Sequence, residues 1–238
     1  QWHPRELRVS VWNGESERVA VHPKGMSAVE TYLQARFNMY RNVYFHKVVR
    51  SAEGMVKLAL QRARRLAVQR RLDWPAAGEA AHKALLGQQL NMAEFNDLDD
   101  IAVLHCFKVW SHGSEATLAA LCRGLLFRRV FKSIDLAGLE DAREARSIVT
   151  AVERMIADGG GEVGYEMFYD QPAGSGYETA DVSGAGEILV RGDDGKLATF
   201  AQASTIGKTL TGELTLRRLH VAPQWRDGAV KIVRQMEK

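Results

Sequence analysis

Residues 26–50 read MSAVETYLQARFNMYRNVYFHKVVR, and no proline stands between Pro23 and Pro75. Ala, Leu, Met, Arg and Gln dominate as far as residue 72, so the composition predicts one long or slightly broken helix over 26–72. At roughly 100° per residue, Val29, Tyr40, Val43, Lys47 and Arg50 all fall within about 40° of Arg36, and Tyr44 falls about 80° away. That face mixes apolar and cationic side chains. A purely structural amphipathic helix keeps Arg and Lys off its apolar stripe, because a charge there must be paired or bind something. Two readings stay open: a buried ion-pair helix with satisfied Tyr hydroxyls, or an Arg36 that holds phosphate beside the Tyr40 and Tyr44 rings, which suit a sugar or base edge. On a continuous helix the 11 residues from Arg36 to Lys47 span roughly 16 Å, more than one triphosphate bridges.

Around this stretch the chain divides by composition. LRVSVW and RVAVH, on either side of Asn13-Gly14-Glu15-Ser16, predict a small hairpin within 6–22. Further helices are expected over 76–90, over 98–112 opening at Asp97-Leu98-Asp99-Asp100, over 114–132 opening at Ser114, and over 138–157 ending at Asp158-Gly159-Gly160-Gly161. Beyond them EILVRGDDGKLATF reads as a second hairpin, LTLRRLHV as strand, and the residues after Pro223 as a closing helix. The expectation is a mainly α body over 1–158 with a small C-terminal α+β appendage over 159–238.

Composition sets the class. Of 238 residues, 46% are apolar and 26% charged, the profile of a globular protein and not of a disordered or fibrous one. No run of 18 apolar residues occurs and QWHPRELRVSVW lacks a signal-peptide core, so no membrane partner is expected and the location expected is cytoplasmic. Cys106 and Cys122 have no CxxC or Cys/His spacing and read as reduced core thiols. The net charge of +3 hides an asymmetry: residues 1–72 hold 14 Lys/Arg against five Asp/Glu, a balance of +9, leaving −6 for the rest. From Gly54 to Leu72 six basic residues occur and no acidic one, which suits a polyanion such as nucleic acid and equally a solvated helix face. Asp97, Asp99 and Asp100 read as acids complementing a helix dipole, Asp158-Gly159-Gly160-Gly161 as a helix stop, and the seven histidines as scattered with no ligand cluster.

The string from Arg36 to Lys47, of the form R-x-x-M-Y-x-x-V-Y-x-H-K, closely resembles HD-domain phosphohydrolases of the deoxynucleoside triphosphate (dNTP) triphosphohydrolase type. Leu98-Asp99-Asp100 before a helix with Trp110, the run Phe127-Arg128-Arg129-Val130-Phe131-Lys132, and RRLHVAP near the end extend the resemblance over nearly the whole chain. It implies an HD-type helical bundle and hydrolysis of a dNTP to deoxynucleoside and triphosphate. It also implies a divalent metal held by an N-terminal HD portion, because no His-Asp dipeptide occurs in these residues, so that this chain supplies no metal ligand or catalytic group and is inactive alone. Residue by residue, Arg36 matches an arginine on the substrate triphosphate and Tyr44 a tyrosine against the deoxyribose, with Tyr40 between them. In the family's mammalian member the Tyr40 position is histidine and the Phe45 position glutamine. Lys24, His46, Lys47, Arg128 and Lys132 match positions bordering a regulatory nucleotide site there, which implies a homo-oligomer. The alternative is a noncatalytic nucleic-acid-binding or assembly module using the basic helix 54–72.

Overall fold

The computed structural model describes residues 8–12, 17–136, 142–175, 188–192, 194–207, 209 and 213–236. The chain folds as two compact units that interleave in sequence, residues 1–46 with 172–216 and residues 47–171 with 217–238. It is mainly α with a small α+β portion, as its composition leads one to expect.

In the first unit, β1 (Arg8–Trp12) and β2 (Glu17–Val21) pair antiparallel, which forms the expected hairpin; its turn, Asn13 to Ser16, lies outside the described residues. The second expected hairpin, β6 (Leu189–Arg191) with β7 (Leu197–Thr199), is also present. The two join through a parallel β2–β6 pairing, Ala20 opposite Leu189, to give a sheet in the order β1-β2-β6-β7. A separate ladder pairs β5 (Ala173–Ser175) with β8 (Glu213–Thr215). Helix α1 (Met26–Met39) buries Leu33 against Val190 and Phe200, with Val29 and Phe37 at the edge of that cluster. Phe200 opens the short helix α9 (Phe200–Ala203), whose following Ser204 donates to Glu30 Oε1 at 2.5 Å and so ties α1 down.

The second unit is built on α2 (Lys47–Val68), which buries Ser51, Met55, Leu58, Ala59, Ala63, Leu66 and Ala67 along one stripe at helical period. Against it lie α3 (Glu79–Leu85), α5 (Asp100–Trp110) and α6 (Ala116–Leu126), with Phe107, Trp110, Leu118 and Leu121 in a common core, while α4 (Met92–Asn96) buries no residue and is tied to α3 by the Lys83–Glu94 ion pair. Cys106 and Cys122 are free and buried there, and burial pushes the Cys122 thiol up to about 12, which keeps it protonated and inert. A second core lies under α7 (Ala142–Asp158) and α10 (Arg226–Met236), against a sheet whose central strand β9 (Arg218–Val221) pairs β3 (Lys132–Asp135) on one side and β4 (Met167–Asp170) on the other. The short helix α8 (Val163–Glu166) leads into β4. Thus β4, β9 and α10, all beyond residue 158, complete the second unit, and β5 to β8 belong to the first: no body coincides with 159–238.

Two expectations for the helices are corrected in their bounds. The helix over 26–72 is broken at Phe45 and His46 and ends at Val68. The helix over 114–132 is capped by Glu115 in place of Ser114, starts at Ala116 and stops at Leu126, shortly before Arg128 takes a left-handed backbone with φ 55°. Residues 132–135 are then strand, because Ile134 is needed in the sheet core beside Leu219. Asp99 does cap α5, accepting from Ala102 N at 2.8 Å, and α7 does end at its glycines, Gly160 taking φ 80° while Gly161 N closes on Ile156 O at 2.8 Å. No helix among the described residues is long and apolar enough to cross a membrane.

Candidate functional site

The residues of the quoted motif lie where α1 changes its winding. Residues Tyr40–Tyr44 form a π turn, with Phe45 N donating to Tyr40 O at 2.8 Å across five residues. A π turn carries an extra residue per loop of backbone and turns the side chains after it out of the α register; such insertions recur at functional sites. The positions that 100° steps give to Tyr44, Lys47 and Arg50 relative to Arg36 therefore do not hold, nor does the 16 Å axial separation between Arg36 and Lys47, since both presume a continuous α-helix.

At the turn three aromatic rings cluster with Tyr40 at their centre, and Tyr40 in turn holds one cation. The Arg36 guanidinium lies 5.2 Å from the centroid of the Tyr40 ring and donates to Tyr40 Oη at 3.3 Å. Tyr44 meets Tyr40 edge to face at 5.1 Å, and Phe45 does so at 5.8 Å from the buried side. Tyr44 stays 53% exposed, Arg36 and Tyr40 half-buried. Among the described residues Arg36 makes no ion pair, so its partial burial against the Tyr40 ring leaves the charge available to an incoming anion.

Arg50 is the opposite case. It grips Asp170 with Nε at 3.0 Å and a terminal nitrogen at 2.5 Å, and reaches Glu53 at 2.7 Å, so it is the structural ion pair the face was open to. The hydrogen bonds to Asp170 hold its guanidinium more firmly protonated than usual. Behind Asp170 lies His220, fully buried: its Nδ1 is 2.9 Å from Ser133 Oγ, and its Nε2 has no hydrogen-bond partner among the described residues and stands 3.8 Å from Asp170 Oδ2. Phe168 stacks on the His220 ring at 4.6 Å and 8°, and Gly54 on α2 leaves it room, since a Cβ there would stand 2.0 Å from the Phe168 ring. Burial pushes His220 down to about 4, so it is neutral. Register Ser133–His220–Phe168 follows from strand pairing across 87 residues, for which a single sequence carries no signal.

Of the residues matched to a regulatory site, Lys24 ends a one-turn helix in the first unit, where its N donates to His22 Nδ1 at 3.3 Å, and His46 is exposed in the same unit. Lys47, Arg128 and Lys132 belong to the second. Lys47 opens α2, whose first turn holds no acid; its carbonyl accepts from Ser133 Oγ at 3.4 Å, next to Lys132. Arg128 lines a mostly apolar groove of about 630 Å³ with Val48, Val49 and Val130. Among the described residues no group of three or more His, Cys, Asp or Glu side chains could hold a metal ion, so the residues present do not fit the implied divalent metal.

Comparison with known proteins bears on this geometry. Residues 10–72, which contain Lys24, Arg36, Tyr40, Tyr44, His46 and Lys47, match the model of the HD associated region. The chain is 24% identical over 212 residues to the uncharacterised protein YwfO of Bacillus subtilis (strain 168), covering 87% of this chain and 47% of that protein. Its fold is similar to the crystal structure of a phosphohydrolase from Bacteroides thetaiotaomicron VPI-5482, with a TM-score of 0.62 and 24% identity over 86% of this chain and 52% of that one. It is also similar to that of a hypothetical protein from Aquifex aeolicus, with a TM-score of 0.59 and 19% identity over 91% of this chain and 47% of that one. The chain thus spans about half the length of the relatives it matches. The HD-associated match covers the very stretch that carries the Arg36 cluster, and the fold is similar to that of a phosphohydrolase.

Proposed function

We propose that the Arg36 cluster is the substrate wall of an HD-family phosphohydrolase that converts a dNTP and water to deoxynucleoside and triphosphate. The observation that carries this reading is the unpaired Arg36 held against Tyr40, with the half-exposed Tyr44 ring beside it. Arg36 neutralises phosphate oxygens with a planar two-pronged donor, and Tyr44 offers a flat apolar face to a deoxyribose. In the reaction, water oxygen bonds to the α-phosphorus, the bond from that phosphorus to O5′ breaks, and O5′ takes a proton. The divalent metal that the resemblance implies would be held by an HD portion and would activate the attacking water.

The test is triphosphate release from dNTPs by the longest natural protein carrying this sequence, with and without Arg36→Ala. Loss of 100-fold or more in kcat/KM with an unchanged circular dichroism spectrum is expected, as for removal of a charge-assisted phosphate contact. Turnover close to the parent's would overturn the assignment, and so would triphosphate release by the 238-residue chain alone, since no metal-ligand set occurs among the described residues.

A second reading concerns Lys47, Arg128 and Lys132. An arginine at φ 55° is strained where glycine is not, and such strain persists at working sites. These three cations, around the acid-free start of α2, are proposed to take the phosphates of a second, regulatory nucleotide and to favour a homo-oligomer. Lys47→Ala and Arg128→Ala should then reduce activation by added dNTP and oligomer mass; unchanged values for both dismiss the second nucleotide.

A further inference from the structure

The basic run 54–72 resolves into two kinds of residue. Arg62 is committed to the fold: it donates to Glu162 and to Glu115, each at 2.7 Å, and lies 4.9 Å from the Tyr165 ring centroid. Lys57, Arg64, Arg65, Arg70 and Arg71 are all exposed, and none makes an ion pair among the described residues.

Their placement is ordered. On α2, Lys57, Gln61, Arg64 and Val68 fall in one strip about 60° wide, opposite the stripe that buries Met55, Ala59 and Leu66. Lys57 and Arg64 are seven residues apart, about 10.5 Å along the axis, close to three nucleotide steps at about 3.4 Å per strand. Arg65 flanks the strip, and Arg70 and Arg71 continue it past the last turn. Arg70 takes φ 55° where the helix closes, Arg71 N donating to Leu66 O at 2.9 Å, so a charged side chain occupies a position that glycine fills with less strain. No exposed aromatic ring stands in this run, which leaves the surface without a means of stacking bases.

From this we infer that the exposed strip of α2 and its end bind nucleic acid through the phosphodiester backbone, without reading sequence. Five cations with no acid among them suit a polyanion of regular charge spacing better than one small anion. The acidic stretch of this same chain is a poorer partner. Between residues 84 and 107 it holds four acids and no Lys or Arg, but Glu94 is taken by Lys83 and Asp99 by the start of α5, leaving Asp97 and Asp100.

The inference is independent of the triphosphate reading, and its test uses the intact chain with a fluorescent oligothymidylate of about 20 nucleotides and a duplex of similar length. Five phosphate contacts predict a slope of log affinity against log salt near −3.5 for the single strand, so Kd weakens roughly 100-fold between about 50 and 200 mM salt. The pair Arg64→Gln and Arg65→Gln should reduce that slope by about 1.4 and weaken binding more than tenfold at about 50 mM salt. Arg70→Gly should weaken binding while leaving thermal stability equal or higher, which separates loss of charge from loss of fold. Arg36→Ala should bind as the parent does. Absence of binding at about 50 mM salt overturns the inference, as does a slope unchanged by the paired substitution. It also fails if sedimentation shows those substitutions abolishing self-association and leaving oligonucleotide binding intact, which would assign the strip to a second copy.

Discussion

Arg36 both donates to Tyr40 Oη at 3.3 Å and lies 5.2 Å from the Tyr40 ring centroid, so one tyrosine aims the guanidinium by its hydroxyl and supports it by its face. The two contributions separate by substitution. On the proposed function, Tyr40→Phe keeps the ring and should raise KM for dNTP about fivefold at nearly constant kcat, the worth of about 1 kcal/mol for a long hydrogen bond to a cation. Tyr40→Ala loses both and should lower kcat/KM further. Equal KM in parent and Tyr40→Phe would show that the hydroxyl does not position Arg36.

Arg62 gives a prediction about stability. It joins α2 to Glu115, which caps α6, and to Glu162, whose other oxygen accepts from Thr117 Oγ1 at 2.7 Å. Burial pushes the Glu115 carboxyl up, and the bonds from Arg62 and Leu118 N outweigh that and hold it below the usual range. Arg62→Met should lower stability by about 2 kcal/mol, less than the full figure for a buried pair because Glu162 is partly in water. The urea midpoint checks it.

His220 sets a pH dependence. Its folded-state value of about 4 lies below the ordinary 6.5, chiefly through burial, with Arg218 and Arg50 also lowering it and Asp170 and Asp135 opposing. The unfolded chain therefore binds a proton that the folded one refuses, and stability falls as pH drops from about 6.5 towards 4, by up to about 3 kcal/mol. Because other groups titrate in the same window, the informative quantity is the difference between the parent and His220→Phe. The parent should lose more stability than the variant on acidification, and parallel urea-midpoint curves would refute the assignment.

Arg128→Gly should raise stability by about 0.5 to 1 kcal/mol by relieving the left-handed arginine, visible as a higher melting temperature. A fall instead would mean that the side chain contributes packing in the groove it lines.

What could be read in advance follows the range of the interactions. The two hairpins, the glycine end of α7 and the Asp99 start of α5 depend on residues within a few positions of one another, and the pattern of Val, Gly and Asp shows them. The β2–β6 pairing, Arg50 with Asp170 120 residues on, and Arg62 with Glu162 100 residues on have no local trace. The strand at Lys132–Asp135 was obscured by FRRVFK, whose composition suits a helix as well as a strand; only the sheet partner β9 decides. For the site, Arg36, Tyr40 and Tyr44 were legible as residue types on one stretch, but the π turn over Tyr40–Tyr44, where the two tyrosine rings meet at 5.1 Å, is a backbone arrangement that no residue pattern announces.

The interleaving of the two units bears on how the protein is made. The parallel pairing of Ala20 with Leu189 joins residues 169 positions apart, and β9 must arrive before β3 and β4 have a common neighbour. During synthesis α1 therefore leaves the ribosome well ahead of the strands that cover Leu33. Its apolar edge waits through the translation of the whole intervening helical unit, a delay on the order of 10 s at typical elongation rates, during which chaperones have access to it.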